Sequence, residues 1–267
     1  MKLIDWLEIL ALTAFGLAVA YLAGAFRRKS IFPPRRLLTD RSSPMEFLLP
    51  ALAGFCASLF APAIYFALVV GKNHQPTSHQ TVCEFALSAG AGLLMIQAIE
   101  TLQEKNNLRS RLFPDGIVYG VVGGLAIIPL VLTATSLVQE IMRWFGAAPP
   151  QEHSLLIVFQ QPSAIDRLLV ILSAVILAPL FEELVFRAHL QSAIRKYSGS
   201  PWLAVILASG LFALVHGIWW MMPPLFVLAL GMGYVYERTR NIWASITIHA
   251  AFNALSLTVE YISMKHH

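Results

Sequence analysis

Charge is scarce in this chain: only 13% of its 267 residues are Asp, Glu, Lys or Arg, against about 25% in a soluble globular domain. A water-soluble globule is therefore excluded. Two cysteines cannot build a disulfide framework or a Cys-based zinc site. No internal repeat, Gly/Ser linker or low-complexity tract interrupts the sequence. There is also no basic stripe interleaved with aromatics, so the net charge of +4 does not point to a nucleic-acid partner. What is abundant is apolar surface, at 57% of residues, which excludes disorder. The solvent for such a chain is a lipid bilayer.

Crossing about 30 Å of hydrocarbon takes about 20 apolar residues. Eight runs qualify, at 6–26, 47–71, 82–102, 116–138, 168–195, 202–218, 223–236 and 241–262; the fifth is long and the seventh short. Each must be a helix, because in lipid every backbone N–H and C=O needs an internal partner, and the runs are too continuous for barrel strands. The expected fold is an all-α polytopic bundle of about eight transmembrane helices. Residues 1–166 form an N-terminal four-helix membrane region, and 167–262 form a core in which the intramembrane polar groups concentrate.

Basic residues set the orientation. With the N-terminus outside, the inner loops at 27–41, 105–111, 195–196 and 238–240 hold 13 Lys and Arg, the outer segments hold 5 (Lys2, Lys72, Arg143, Arg167 and Lys265), and Arg187 is buried. This asymmetry favours N-out, C-out. Lys2 is offset by Asp5 and Glu8, and the first positive cluster follows its apolar run, as in a retained anchor rather than a cleaved signal. Cys56 and Cys83 fall in or beside apolar runs and read as small buried hydrophobes. The outer segment 139–167, with Pro149, Pro150 and Pro162, reads as partly amphipathic and interfacial. His74, His79, His153, His266 and His267 fall in loops or the tail and read as solvated.

Ionisable groups inside a span cost about 2.5–3.5 kcal/mol each on insertion scales and are functional candidates by default. The fifth run contains Glu182, Glu183 and Arg187, the sixth carries Phe212 and His216, and the eighth carries His249 and Asn253. Glu183 and Arg187, at i and i+4, can pair on one helix face. Glu182 is turned about 100° away and needs a donor from another span, for which His216 and His249 are the candidates. Asn253 shares a face with His249. At 1.5 Å per residue, Glu183, His216 and His249 lie about 18, 22 and 14 Å from the inner ends of their helices, levels that agree within helix tilt, provided that the fifth helix runs on to about Arg195. Helices five, six and eight would then enclose the site. Pro179, one turn before Glu182, frees the carbonyl at i−4 and can kink the helix. Gly231 and Gly233 suit close helix packing.

A carboxylate beside an imidazole in a low-dielectric cavity suits the activation of water, and a second His with an Asn amide can donate to an oxyanion. Glu182, His216 and His249 are also reasonable zinc ligands, although no compact zinc signature such as His-Glu-x-x-His is present.

Glu-Glu-x-x-x-Arg, Phe-x-x-x-His and His-x-x-x-Asn, in this order on successive late spans, resemble the CAAX prenyl protease and bacteriocin-processing family of intramembrane proteases, also called Abi proteins. The segments 231–239 and 245–249 are similar to that family as well, and the resemblance covers about residues 167–256. It implies an endopeptidase with Glu182 as general base, His216 holding the water, Glu183 and Arg187 in support, and His249 with Asn253 at the oxyanion. The family is described both as metal-dependent and as glutamate-type; the glutamate-type reading is favoured here, without a cofactor, with Zn as the alternative. His189 departs from the family's pattern and reads as an incidental helix residue.

The expected partners are membrane lipid and a protein or peptide substrate, prenylated or membrane-anchored, and the expected location is a multi-pass position in a membrane, the inner or plasma membrane if the cell is bacterial. Two other function classes stand beside the endopeptidase. One is a catalytically silent membrane scaffold or immunity protein on the same fold. The other is a proton-coupled transporter, which calls for inverted repeats and paired broken helices, neither of which is found. Taken singly, His216 reads as a satisfied core histidine, His249 with Asn253 as a helix–helix hydrogen bond, and the Glu pair as a solvated helix end.

Overall fold

A computed structural model describes residues 3–25, 43–70, 77–103, 113–147, 154–160 and 163–266. The described residues are helical with no strand, as a chain dissolved in lipid requires. The helices are α1 (Leu3–Leu22), α2 (Met45–Tyr65), α3 (Ser78–Leu102), α4 (Phe113–Trp144), α5 (Ser154–Gln160), α6 (Ala164–Ser198), α7 (Pro201–Val215), α8 (Met222–Thr239) and α9 (Ile242–His266). Among the described residues, every apolar run of the sequence lies mostly on a helix. Six stretches are long and apolar enough to cross a membrane: Met45–Leu68, Ser78–Leu102, Asp115–Trp144, Ala164–Ser198, Trp219–Thr239 and Ile242–Lys265. Ile9–Leu22 and Pro201–Val215 are apolar but shorter. The chain is thus an all-α polytopic membrane protein, and among the described residues six helices, not the expected eight, are long and apolar enough to cross.

Three expectations are corrected. The short late helix is the sixth, not the seventh: α7 starts at Pro201 behind the Ser200 cap and stops at His216, where Gly217 turns left-handed at φ 67°. The seventh run continues to Thr239 because Glu237, buried in its last turn, is neutralised by Arg195 and Arg240. The outer segment 139–167 contains the short helix α5. This helix tucks Val158 and Phe159 into a small core with Val82, Val170 and Leu257, and Arg167 donates to the Phe159 carbonyl. Finally, Cys56 is exposed and Cys83 half-buried, because a membrane helix packs only part of its circumference. Residues 27–41, 105–111, Lys2, Lys72, His74, His153 and His267, on which much of the charge reading rests, lie outside the described residues. His79 is bonded to Asp166 at 3.2 Å.

The chain forms two compact units, each assembled from three separate stretches. The first comprises residues 1–44, 111–150 and 191–248. In it glycines let α4 approach its neighbours: α1 sets Gly16 against the Ala126 carbonyl, and Gly120 of α4 meets Thr247. On α8, Gly231 lies under Ile127 and Gly233 under Gln191 and Val205, the packing role expected of both glycines. Trp202 and Tyr234 stack at 5.8 Å. The lower ends of α6 and α8 are joined by buried ion pairs: Glu237 accepts from Arg195 Nε at 3.1 Å and Arg240 Nη2 at 2.5 Å, and Gln191 donates to the Gly233 carbonyl at 3.0 Å.

The second unit comprises residues 45–110, 151–190 and 249–267. Here α2 and α3 pack through Gly54, which meets Ile96, and through a bond from Ser88 Oγ to the Ser58 carbonyl at 2.9 Å. The fully buried Val82 and Ile96 line α3, and Gln160 donates to Glu260 at 2.9 Å.

Candidate active site

The long helix α6 is α-helical at both ends and around residues 178–183, but widens into π-helical turns at Ser173–Leu177 and Leu184–Gln191. Such widened turns concentrate at functional sites. They flank Glu182 and Glu183. Pro179 explains the first of them. In the π register the Ala178 N–H bonds to the Ser173 carbonyl, so the next amide should bond to Ala174, and proline has none to offer. The freed carbonyl is that of Ala174, at i−5, rather than Val175 at i−4. Asn253 Nδ2 fills the vacancy at 2.7 Å. This bond ties α9 to α6 one turn from His249 and leaves the amide one further N–H.

The two carboxylates differ sharply. Glu183 is wholly buried, and its Oε1 accepts from Arg187 Nη1 at 2.8 Å and contacts His249 Nδ1 at 2.9 Å. The i, i+4 pairing expected from sequence is present, and Arg187, 1% exposed, lies inside the helix. Removing one partner of such a pair costs about 3–5 kcal/mol, because a buried charge is left alone. The side chain of Glu182 is 23% exposed, with its Oε2 3.8 Å from His249 Nε2, too far for a direct hydrogen bond. One imidazole therefore faces both carboxylates. Because Glu183 accepts at Nδ1, that nitrogen carries the proton and Nε2 is turned toward Glu182.

His216 belongs to the other unit. It caps the C-terminus of α7, half-buried, with Nδ1 2.7 Å from the Phe212 carbonyl and its ring 4.6 Å from that of Phe212. A carbonyl only accepts, so here too Nδ1 holds the proton. Among the described residues, no three His, Cys, Asp or Glu side chains form a group that could hold a metal ion.

Glu182, Glu183, Arg187, His249 and Asn253 are thus brought together in one unit. Two features were missed in the sequence. His189 is not incidental: it is buried with Nε2 2.9 Å from Glu100 Oε1, an equally buried carboxylate on α3. Glu100 stood in an apolar run, which was signal enough to single it out. The second is the Ala174 carbonyl, visible only once the helix widens.

Residues 164–255 match the model of the Rce1-like type II CAAX prenyl endopeptidase family. This Rce1-like segment takes in α6 to α8 and the part of α9 bearing His249 and Asn253, so every candidate residue lies within it. It supports membrane protease function of the CAAX type. An Escherichia coli protein described as an uncharacterized 24.3 kDa protein is 25% identical over 229 residues, covering 83% of this chain and 99% of the relative. No solved structure matches the chain.

Proposed function

We propose that this chain is a glutamate-type intramembrane endopeptidase in which Glu182 activates the attacking water. The observation that carries the reading is the contrast between two adjacent carboxylates. Glu183 is buried and shared by Arg187 and His249, whereas Glu182 is partly exposed beside the same imidazole. Environments that separate two neighbouring acids in this way mark a division of roles.

In the reaction, Glu182 takes a proton from water as the oxygen attacks the peptide carbonyl carbon, then returns it to the amine as the C–N bond breaks. The Glu183 carboxylate stabilises positive charge on the His249 ring. A proton on Nε2 can then face the oxyanion, together with the second Asn253 N–H. His216 enters from the motif order alone, as the group that orients the water through Nε2. The substrate class is a protein or peptide held at the membrane, and the family description makes a prenylated C-terminus the first to try. The inner or plasma membrane of a bacterium is the proposed location, in line with the Escherichia coli relative.

Comparing membrane proteomes of cells carrying the intact chain and Glu182→Gln tests the reading. A precursor that accumulates only with the variant, at equal protein level, is expected. Identical proteomes with a folded variant would favour a catalytically silent scaffold. Metal content of the purified protein and chelator sensitivity decide the glutamate-type assignment, which predicts cleavage that survives chelation.

A further inference from the structure

The endopeptidase reading makes no use of the second buried acid–imidazole pair, Glu100 with His189. Its carboxylate and ring are 1% and 2% exposed and 2.9 Å apart, and His189 Nδ1 has no hydrogen-bond partner among the described residues. Two ionisable groups sunk in a membrane helix pair are costly, and the catalytic steps above do not use them. Their value must lie in where they hold α6.

Contacts between α3 and α6 recur at a nearly constant offset. His79 meets Asp166, 87 residues on, and Glu100 meets His189, 89 residues on. Midway, the ring of Phe181 fills the space over Gly92, again 89 residues on; a Cβ on Gly92 would stand 2.2 Å from Phe181 Cε2. The helices therefore run parallel in a fixed register. The last two contacts, eight residues apart on each helix, bracket Glu182, Glu183 and Arg187. The lower contact grips the π-helical stretch, whose hydrogen-bond geometry favours one register less strongly than an α-helix does. A hydrogen-bonded polar pair is more selective than apolar packing, because a slip of one residue leaves both groups buried without partners.

We propose that Glu100 and His189 are a positioning pair, holding the π-helical turns of α6 in the register that presents Glu182 and Glu183 for catalysis. The proposal rests on the endopeptidase reading for its catalytic consequence, but not for the register itself.

Two measurements test it on the full chain in detergent or proteoliposomes: cleavage kinetics on the precursor that accumulates with Glu182→Gln, and amide hydrogen exchange. For Glu100→Ala, kcat should fall about tenfold or more with KM within about twofold, as displacement of a catalytic group by about 1 Å does. Exchange should quicken across 184–190 and stay unchanged in α2 and α5. Glu100→Gln, which keeps one acceptor for the ring, should lie between the intact chain and Glu100→Ala, and the swap E100H/H189E should recover much of the loss. If the alanine variant does not fold, Glu100→Gln and His189→Asn carry the test. Unchanged kcat and exchange, or faster exchange spread evenly over all helices, would overturn the proposal. Failure of the endopeptidase reading looks different: cleavage by the intact chain would be insensitive to Glu182→Gln, while the exchange comparison still reports on the register.

Discussion

Each unit of the molecule buries a glutamate shared by two basic side chains. In one, Glu237 accepts from Arg195 and Arg240; in the other, Glu183 accepts from Arg187 and faces His249. Burial and ion pairing are alike, so neither marks a catalytic centre. The difference lies in the partners and the neighbour. Both partners of Glu237 are guanidiniums, which do not give up protons at any working pH, and its neighbours in sequence are Tyr236 and Arg238. One partner of Glu183 is an imidazole, which does exchange protons, and its neighbour is a second, partly exposed carboxylate. The first cluster can only hold helices together. The second can move a proton.

That contrast can be broken by substitution, and the largest effect falls on Glu182. Glu182→Gln keeps the shape and removes the base, so cleavage should drop by about 10³-fold or more with the melting temperature almost unchanged; a rate assay paired with thermal unfolding in detergent reads both. Next comes Glu237→Ala, which leaves Arg195 buried without its carboxylate. It should cost about 3–5 kcal/mol of stability while cleavage per folded molecule stays close to that of the intact chain. Gly92→Ala should be intermediate: the new methyl group collides with the Phe181 ring, and a shift passed to Glu182 should slow cleavage by about 10-fold with a loss of about 1–3 kcal/mol from overpacking. The smallest effect expected is that of Asn253→Ala on stability. Losing the bond to the Ala174 carbonyl should cost about 1–3 kcal/mol, visible as faster exchange around 173–178.

Much of this was legible in the sequence because it is local. Apolar run length marked each helix, the Glu183–Arg187 pair follows from i, i+4 spacing, and depth counted from the basic helix ends brought Glu183 and His249 to one level before any coordinates. What was hidden depends on partners far along the chain. Glu100 and His189 are 89 residues apart, and nothing in either run names the other. The π-helical turns were hidden for another reason: Pro179 announces a break in hydrogen bonding, but whether the helix kinks or widens depends on whether something outside can satisfy the freed carbonyl, here Asn253. The short α7 and long α8 were misjudged because hydropathy penalises Glu237 and Arg238, while the folded protein neutralises Glu237 with Arg195 and Arg240.

The central claim, that of two adjacent acids one reacts and the other supports, is tested most directly by cleavage per folded molecule in proteoliposomes, measured side by side for Glu182→Gln and Glu237→Ala. The account predicts that the first is inert and stable while the second is active and fragile. Equal loss of cleavage in both folded variants, or full cleavage by Glu182→Gln, would contradict it.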